Sequence, residues 1–187
     1  MTGTNRRMPI LTVGYGLREG DEVIALLRRH GVNYVGDVRS VPYSRRRTEF
    51  SREPFERLLR SAGLRYVFLG ETLGGRPDDS ACYDADGHVD YDRCRTASSF
   101  LSGIERVETA YRDGHRLALL CSEARPTDCH RSKLLAEMLV ERGVPVSHID
   151  ETGELVEHGE IAAKVRGPQM SLAPEGLGRS RRAYRAA

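Results

Sequence analysis

The stretch Leu117-Ala-Leu-Leu-Cys-Ser-Glu-Ala-Arg-Pro-Thr-Asp-Cys-His-Arg131 decides the fold. An apolar run ends at Cys121, a turn passes through Glu123 and Pro126, and Cys129-His130-Arg131 open an amphipathic segment. In that segment Leu134, Leu135, Met138 and Leu139 recur at helical spacing, and Gly143 closes it. A short run that is apolar throughout suits a strand covered on both faces. The turn from such a strand into a helix is where open α/β sheets hold their ligands.

Upstream the same alternation repeats. Residues 10–14 read as a buried strand ending in Gly14-Tyr15-Gly16, and Val23, Ile24, Leu26 and Leu27 make a helical face closed by Gly31. A second strand is expected over 32–38, a helix carrying Phe55, Leu58 and Leu59 up to Gly63, and a third strand over 64–69. A helix over 97–112 turns Phe100, Leu101, Ile104 and Val107 inward, and the strand 116–121 follows. Beyond the helix 132–142, residues 144–149 form a fifth strand. This order predicts a single α/β domain, a largely parallel open sheet of about five strands with helices on both faces. The boundaries are a flexible N-terminus over 1–9, an α/β domain over 10–158, and a basic, unstructured tail over 159–187. Residues 70–96 form a loop excursion without periodicity, of the kind that is functional or mobile.

The 187 residues suffice for one core, and 39% hydrophobic with 30% charged residues is ordinary for a soluble globular chain. Apolar runs are far too short to cross a bilayer, and the first residues lack an apolar signal core. Four cysteines, Cys82, Cys94, Cys121 and Cys129, read as thiols of a reducing compartment, so a cytoplasmic protein is expected. The absence of Trp argues against a sugar- or base-stacking platform. The net charge of +2 divides into +5 over residues 164–187 and −3 elsewhere. That tail is either a solvated terminus or a nucleic-acid contact.

Residues just past the strands share one rim in this architecture: Gly14-Tyr15-Gly16, Asp37 with Arg39 and Ser40, Gly70-Glu71, Cys121-Ser122-Glu123, and His148 with Asp150. Together they predict a ligand site. Loop 39–52 carries five arginines with Tyr43 and Phe50 among them, a composition suited to phosphate and to stacking on a base. Asp37 either braces Arg39 or serves as general base or metal ligand. Cys121 is packing filler or a nucleophile. With Thr127 or Asp128 capping the helix, Cys129, His130 and Arg131 fall in its first turn, where the dipole and Arg131 favour thiolate. The same N–H groups would bind an anion. Cys121, Cys129 and His130 could also hold a divalent metal, and Cys82, His88 and Cys94 supply further donors, but neither spacing matches a zinc pattern. The first arginine after Cys121 is Arg125, at the fourth position rather than the sixth of a C-x5-R phosphate cradle. Gly14-Tyr15-Gly16 lacks the other glycines of a dinucleotide fingerprint, and Gly74-Gly75 reads as a turn only.

Six segments occur in order: Thr12-Val-Gly-Tyr, Asp37-Val-Arg-Ser-x-Pro-x-Ser-Arg, Phe50-Ser, Leu64-Arg-Tyr, Leu73-Gly-Gly and Cys121-Ser-Glu-x-x-Pro-x-x-Cys-His-Arg. Together they resemble the bacterial family called domain of unknown function 488, over about residues 10–150. The resemblance implies a compact α/β domain with motif positions at Asp37, Arg39, Ser44, Arg45, Cys121, Glu123, Cys129, His130 and Arg131. It supplies no reaction. The Cys82–Cys94 insert and the basic tail stand outside the pattern.

The favoured function is an enzyme acting on a phosphorylated or nucleotide-like substrate. Arg39, Ser44, Arg45 and Arg131 would hold the anion, Asp37 or Glu123 would be general base, His130 acid or base, and Cys121 or Cys129 the nucleophile. One alternative is a nucleic-acid-binding module using loop 39–52 and the tail. Another is a metal- or redox-linked thiol protein using Cys121, Cys129 and His130.

Overall fold

The computed structural model describes residues 7–166 and 178–184. In chain order, β1 (Ile10–Gly14) leads to α1 (Gly20–Arg29), β2 (Tyr34–Asp37) to α2 (Arg52–Ser61), and β3 (Arg65–Phe68) to the single turn α3 (Gly70–Leu73). Then come β4 (His88–Asp90), α4 (Tyr91–Thr96), α5 (Ser98–Arg112) and β5 (Leu117–Cys121). A π-helical segment, Arg131–Ala136, continues as α6 (Glu137–Glu141). β6 (Val146–Ile149), β7 (Leu155–Glu157), α7 (His158–Arg166) and β8 (Arg179–Ala183) complete the described chain.

The main sheet has the order β3-β2-β5-β1-β6-β7. Its first five strands are parallel, and β7 is added antiparallel at the edge. β1 and β5 are buried along their whole length, which is why both are apolar on both faces. Leu11, Val13, Ala118 and Leu120 pack with Val23 and Leu27 of α1 and Phe55 and Leu59 of α2. Ile10, Leu117 and Leu119 point the other way, onto Ile104 and Val107 of α5 and Leu135 and Leu139 beyond the π turn. Gly63 (φ 78°) and Gly143 (φ 79°) end their helices in the left-handed region open to glycine.

The expected parallel sheet with helices on both faces is present, with one strand more. β7 is three residues long and half exposed, too short for its period to be read. The excursion over 70–96 is ordered: Cys82, Val89, Tyr91 and Cys94 are buried in the core beside α5. The expected tail contributes structure as well. α7 buries His158, Ile161 and Ala162. Residues 179–183 pair antiparallel with β4, and the Ser180 hydroxyl accepts from the Val89 N–H at 2.9 Å. A strand reading Arg-Ser-Arg-Arg-Ala has no apolar alternation, because it lies on the surface and is held by backbone bonds. The rest of the expected tail, 167–177 and 185–187, and residues 1–6 lie outside the described residues.

β1 and β5 are neighbours, yet the chain leaves β1 towards β2 and leaves β5 towards β6, in opposite directions across the sheet. Loops that part in this way open a crevice at the carboxyl ends of the two strands.

Candidate active site

A cleft of about 400 Å³ occupies that crevice. Cys121, Cys129 and His130 line it from the loop after β5, and Arg39, Ser40 and Tyr43 from the loop after β2. The two segments that carry most of the motif residues therefore face one another.

Cys121 is the last residue of β5 and Cys129 stands eight residues on, yet their sulfurs are 3.1 Å apart, with the Cys129 thiol donating to Cys121. Pro126–Asp128 form a 3₁₀ turn that brings the chain back. Cys129 is not in the first turn of the helix but just ahead of it, extended at φ −120° and ψ 147°. Its sulfur takes the role expected of Thr127 or Asp128, accepting from the Arg131 N–H at 3.5 Å. His130 Nε2 lies 3.2 Å from the Leu73 carbonyl, which can only accept, so in the neutral ring Nε2 carries the proton. Nδ1 then turns its lone pair to the Cys129 sulfur at 3.6 Å. The hydrogen bond from Cys129 holds the Cys121 thiol well below the ordinary thiol range, with help from His130 and Arg131 and against burial. Burial, and the proton it donates to Cys121, push Cys129 up. The pair thus loses one proton readily and keeps the other.

Arg131 lies beneath the pair and is wholly buried. Its Nη2 donates to the Ala124 carbonyl at 2.7 Å, while Nε and Nη1 have no hydrogen-bond partner among the described residues. Burial lowers its affinity for the proton, and the two cysteines act to raise it. A buried guanidinium short of acceptors is costly unless an anion stands near it, and Cys121, whose thiol is held well below the ordinary range, is the neighbouring group able to supply one. Glycine is required where β1 passes this point: a Cβ on Gly14 would lie 1.7 Å from the Glu123 carbonyl oxygen and 3.1 Å from Arg131 Nη1.

Asp37 adopts the brace arrangement and does not line the cleft. It is wholly buried and accepts from Arg39 Nε (2.9 Å), Arg39 Nη2 (2.5 Å), the Arg39 N–H (3.1 Å) and the Tyr66 hydroxyl (2.8 Å). Arg39 Nη1 donates to the Phe50 carbonyl at 2.7 Å, so Arg39 reaches the cleft with its charge balanced.

The loop 39–52 is directed inward more than its composition suggests. Phe50 is buried and stacks on Tyr15 with ring centres 4.0 Å apart, so it belongs to the core rather than to a base platform. Arg47 is pinned to the carbonyls of Gly16 and Arg18, and Arg52 lies over the Phe68 ring at 4.4 Å. Ser44 caps its own loop, its hydroxyl accepting from the Arg47 N–H at 3.1 Å, and Arg45 is exposed. Neither lines the cleft, and nor does Arg131. Glu123 lines it and is exposed, but no hydrogen bond among the described residues joins it to either sulfur or to His130.

Other groups were not singled out by the sequence. Arg76 enters the cleft with its guanidinium 4.3 Å over the Tyr184 ring, and Arg181 and Arg182 arrive on β8, Arg181 bonded to Asp128 at 2.9 Å. Gly75 is more than a turn residue: a Cβ there would fall 2.8 Å from His130 Nδ1. Its pairing with Gly74 directly after Leu73, the residue that holds His130, was the available signal. Cys121, Cys129 and His130 are the one group of donors among the described residues able to hold a metal, all within 4.8 Å. All four cysteines are buried, but Cys82 and Cys94 do not line the cleft, and burial pushes both of their thiols up. Among the described residues no helix is long and apolar enough to cross a membrane.

A family model described as "Domain of unknown function DUF488" matches residues 19–149. No curated protein and no solved structure matches the chain. The matched span holds both cysteines, His130, Arg131 and the Asp37–Arg39 brace, whereas β1 and β8 fall outside it.

Proposed function

The chain belongs to the DUF488 family, whose description carries no reaction, and from its own cleft we propose an enzyme that acts on a phosphorylated or nucleotide-like anion through the Cys121 sulfur. One observation carries this reading: Cys121 receives the Cys129 thiol proton at 3.1 Å, next to a buried arginine, at the edge of an open cleft. A thiol held below the ordinary range gives up its proton more readily, and the thiolate is the form that attacks electrophiles.

The rest of the cleft suits an anion bearing a ring. Arg76 and Arg182 line it, and so do Tyr15, Tyr43 and Tyr184, of which Tyr15 is stacked on Phe50 and Tyr184 lies under Arg76. Cys121 attacks the electrophilic centre. Cys129 and Arg131 stabilise the thiolate before attack and again when it leaves. His130 Nδ1, unprotonated in that tautomer and facing the thiol pair, takes the proton from the water or second substrate that resolves the intermediate. Asp37 holds Arg39 and the loop in place and takes no proton.

The experiment has two parts. Iodoacetamide alkylation of the full chain is followed by mass spectrometry from pH 5 to 10, with modification of Cys121 expected to titrate below the ordinary thiol range. Nucleotides and phosphomonoesters are then screened for turnover, and Cys121→Ser is expected to lower kcat by at least about a thousandfold at unchanged fold. Full turnover in Cys121→Ser, or a Cys121 that alkylates only above the ordinary thiol range, overturns the proposal.

A further inference from the structure

The reaction proposed above uses one sulfur and leaves a second in contact with it. Cys129 lies 3.1 Å from Cys121, and a disulfide needs about 2.05 Å, so about 1 Å of approach separates them. The side able to move is Cys129. It is extended and stands at the end of a loop rather than inside a strand, with its N–H bonded to Pro126 and its carbonyl opening the helical ladder, so a turn of its side chain is the movement available. Both cysteines are buried, at 5% and 2% exposure, but they form part of the cleft wall, the side from which a small oxidant would approach. His130 Nδ1, 3.6 Å from the Cys129 sulfur, is placed to accept its proton.

We propose that Cys121 and Cys129 are a reversible disulfide switch, in which a hydroperoxide oxidises Cys121 and Cys129 resolves the product. In the first step the Cys121 thiolate attacks one peroxide oxygen. The S–O bond forms, the O–O bond breaks, and the leaving oxygen takes a proton to become water or an alcohol. In the second step Cys129 gives its proton to His130 and its sulfur attacks the Cys121 sulfenic acid. The S–S bond forms, the S–O bond breaks, and hydroxide leaves as water with the proton from His130. The two sulfurs lose two electrons and the peroxide gains them. Cys82 and Cys94 do not line the cleft and stay reduced. The silencing of the enzyme rests on the reading of Cys121 as nucleophile; the disulfide itself does not.

The test treats the reduced full chain with one equivalent of hydrogen peroxide, blocks free thiols with N-ethylmaleimide, and cleaves after Glu123, between the two cysteines. The expected product is a peptide pair joined through Cys121 and Cys129, two hydrogens lighter than the sum of its parts, and separated again by dithiothreitol. Iodoacetamide labelling of Cys121 falls at least tenfold on oxidation and returns on reduction. In Cys129→Ser the oxidation stops at a Cys121 sulfenic acid that dimedone traps. Peroxide that leaves both thiols free, links Cys82 to Cys94 instead, or meets thiols already masked by one equivalent of bound metal overturns the switch. Formation of the disulfide in a protein whose Cys121→Ser variant keeps full turnover leaves the switch standing and removes the enzyme reading. The opposite pair of results does the reverse.

Discussion

Asp37→Ala separates a brace from a catalytic base. Asp37 is wholly buried and Arg39 is 6% exposed, so neither charge is rescued by water when its partner goes. The substitution removes the acceptor of the Arg39 N–H, Nε and Nη2 and of the Tyr66 hydroxyl. It leaves the guanidinium the Phe50 carbonyl and the neighbouring Tyr15 ring. Breaking one side of a buried pair costs about 3–5 kcal/mol. For a chain of this size that corresponds to a fall in Tm of about 6–20 °C. Tyr66→Phe removes a single hydrogen bond to the carboxylate and costs about 1.5–3 kcal/mol. Arg39→Met placed on top of Asp37→Ala recovers part of the loss, because no charge is then left buried without a partner.

Urea melts followed by far-UV circular dichroism measure all four proteins. Asp37→Ala within about 1 kcal/mol of wild type would refute the brace, as would a double variant whose losses simply add. Asp37→Asn makes a second distinction. A brace loses stability on that change, whereas a general base keeps its fold and loses only turnover.

Two further perturbations test the surroundings. Gly75→Ala puts a methyl group 2.8 Å from His130 Nδ1 and displaces the ring that faces Cys129. Cys121 alkylation at pH 7 should then slow several-fold and its profile move to higher pH, at a cost of about 1–3 kcal/mol in stability; an unchanged profile would detach His130 from the thiol pair. His148 is pushed down to about 3 by burial, then by Arg131 and His158. It bonds Thr12 Oγ1 at 2.7 Å and His158 Nδ1 at 3.0 Å, with Glu137 3.3 Å beyond His158. The unfolded chain protonates this ring near pH 6.5 and the folded chain does not. Its contribution is therefore complete above that pH and is lost as the pH falls towards 3, by about 2 kcal/mol between 6.5 and 5. Denaturation midpoints across that range should show the loss, and His148→Gln should flatten it; equal slopes in the two proteins would exclude the ring as the cause.

The central strands and the long helices were legible in the sequence, whereas the buried residues of the 70–96 excursion and of α7 were not. β1 and β5 show as uninterrupted apolar runs because both faces are covered, and α5 shows its inward face at helical spacing. β8 and β7 were not legible, because an edge held by backbone bonds leaves no period in its side chains. The site divides along the same line. That a turn at the end of β5 carries Cys121 to His130 could be anticipated from the strand-turn-helix pattern, but not that Cys129 stands ahead of the helix and takes the capping role expected of Thr127 or Asp128. The state of Asp37 could not, because it depends on Tyr66, a residue of β3, and on where the Arg39 side chain turns. Arg76 and Arg182 are ordinary surface arginines until the excursion and β8 bring them into the cleft.

The buried charge of Arg131 bears on which chemistry the thiol pair can sustain. One thiolate beside one guanidinium is neutral, and it spares the protein a cost of several kcal/mol for a lone buried ion. A divalent metal on two thiolates and an imidazole is also neutral in itself, and would leave Arg131 uncompensated. The reduced pair sharing one proton is therefore the state this environment favours over the metal-bound one. The same balance governs the proposed disulfide. Its formation consumes the thiolate, so the oxidised form leaves Arg131 without the anion that offsets it. A dithiol stabilised in its reduced form makes a strongly oxidising disulfide, one that thiol reductants reopen readily. An arginine that serves structure alone would gain nothing from lying beneath two cysteines with two of its N–H positions unfilled. On the proposed reading, its place there favours the Cys121 thiolate and makes the disulfide easy to reopen.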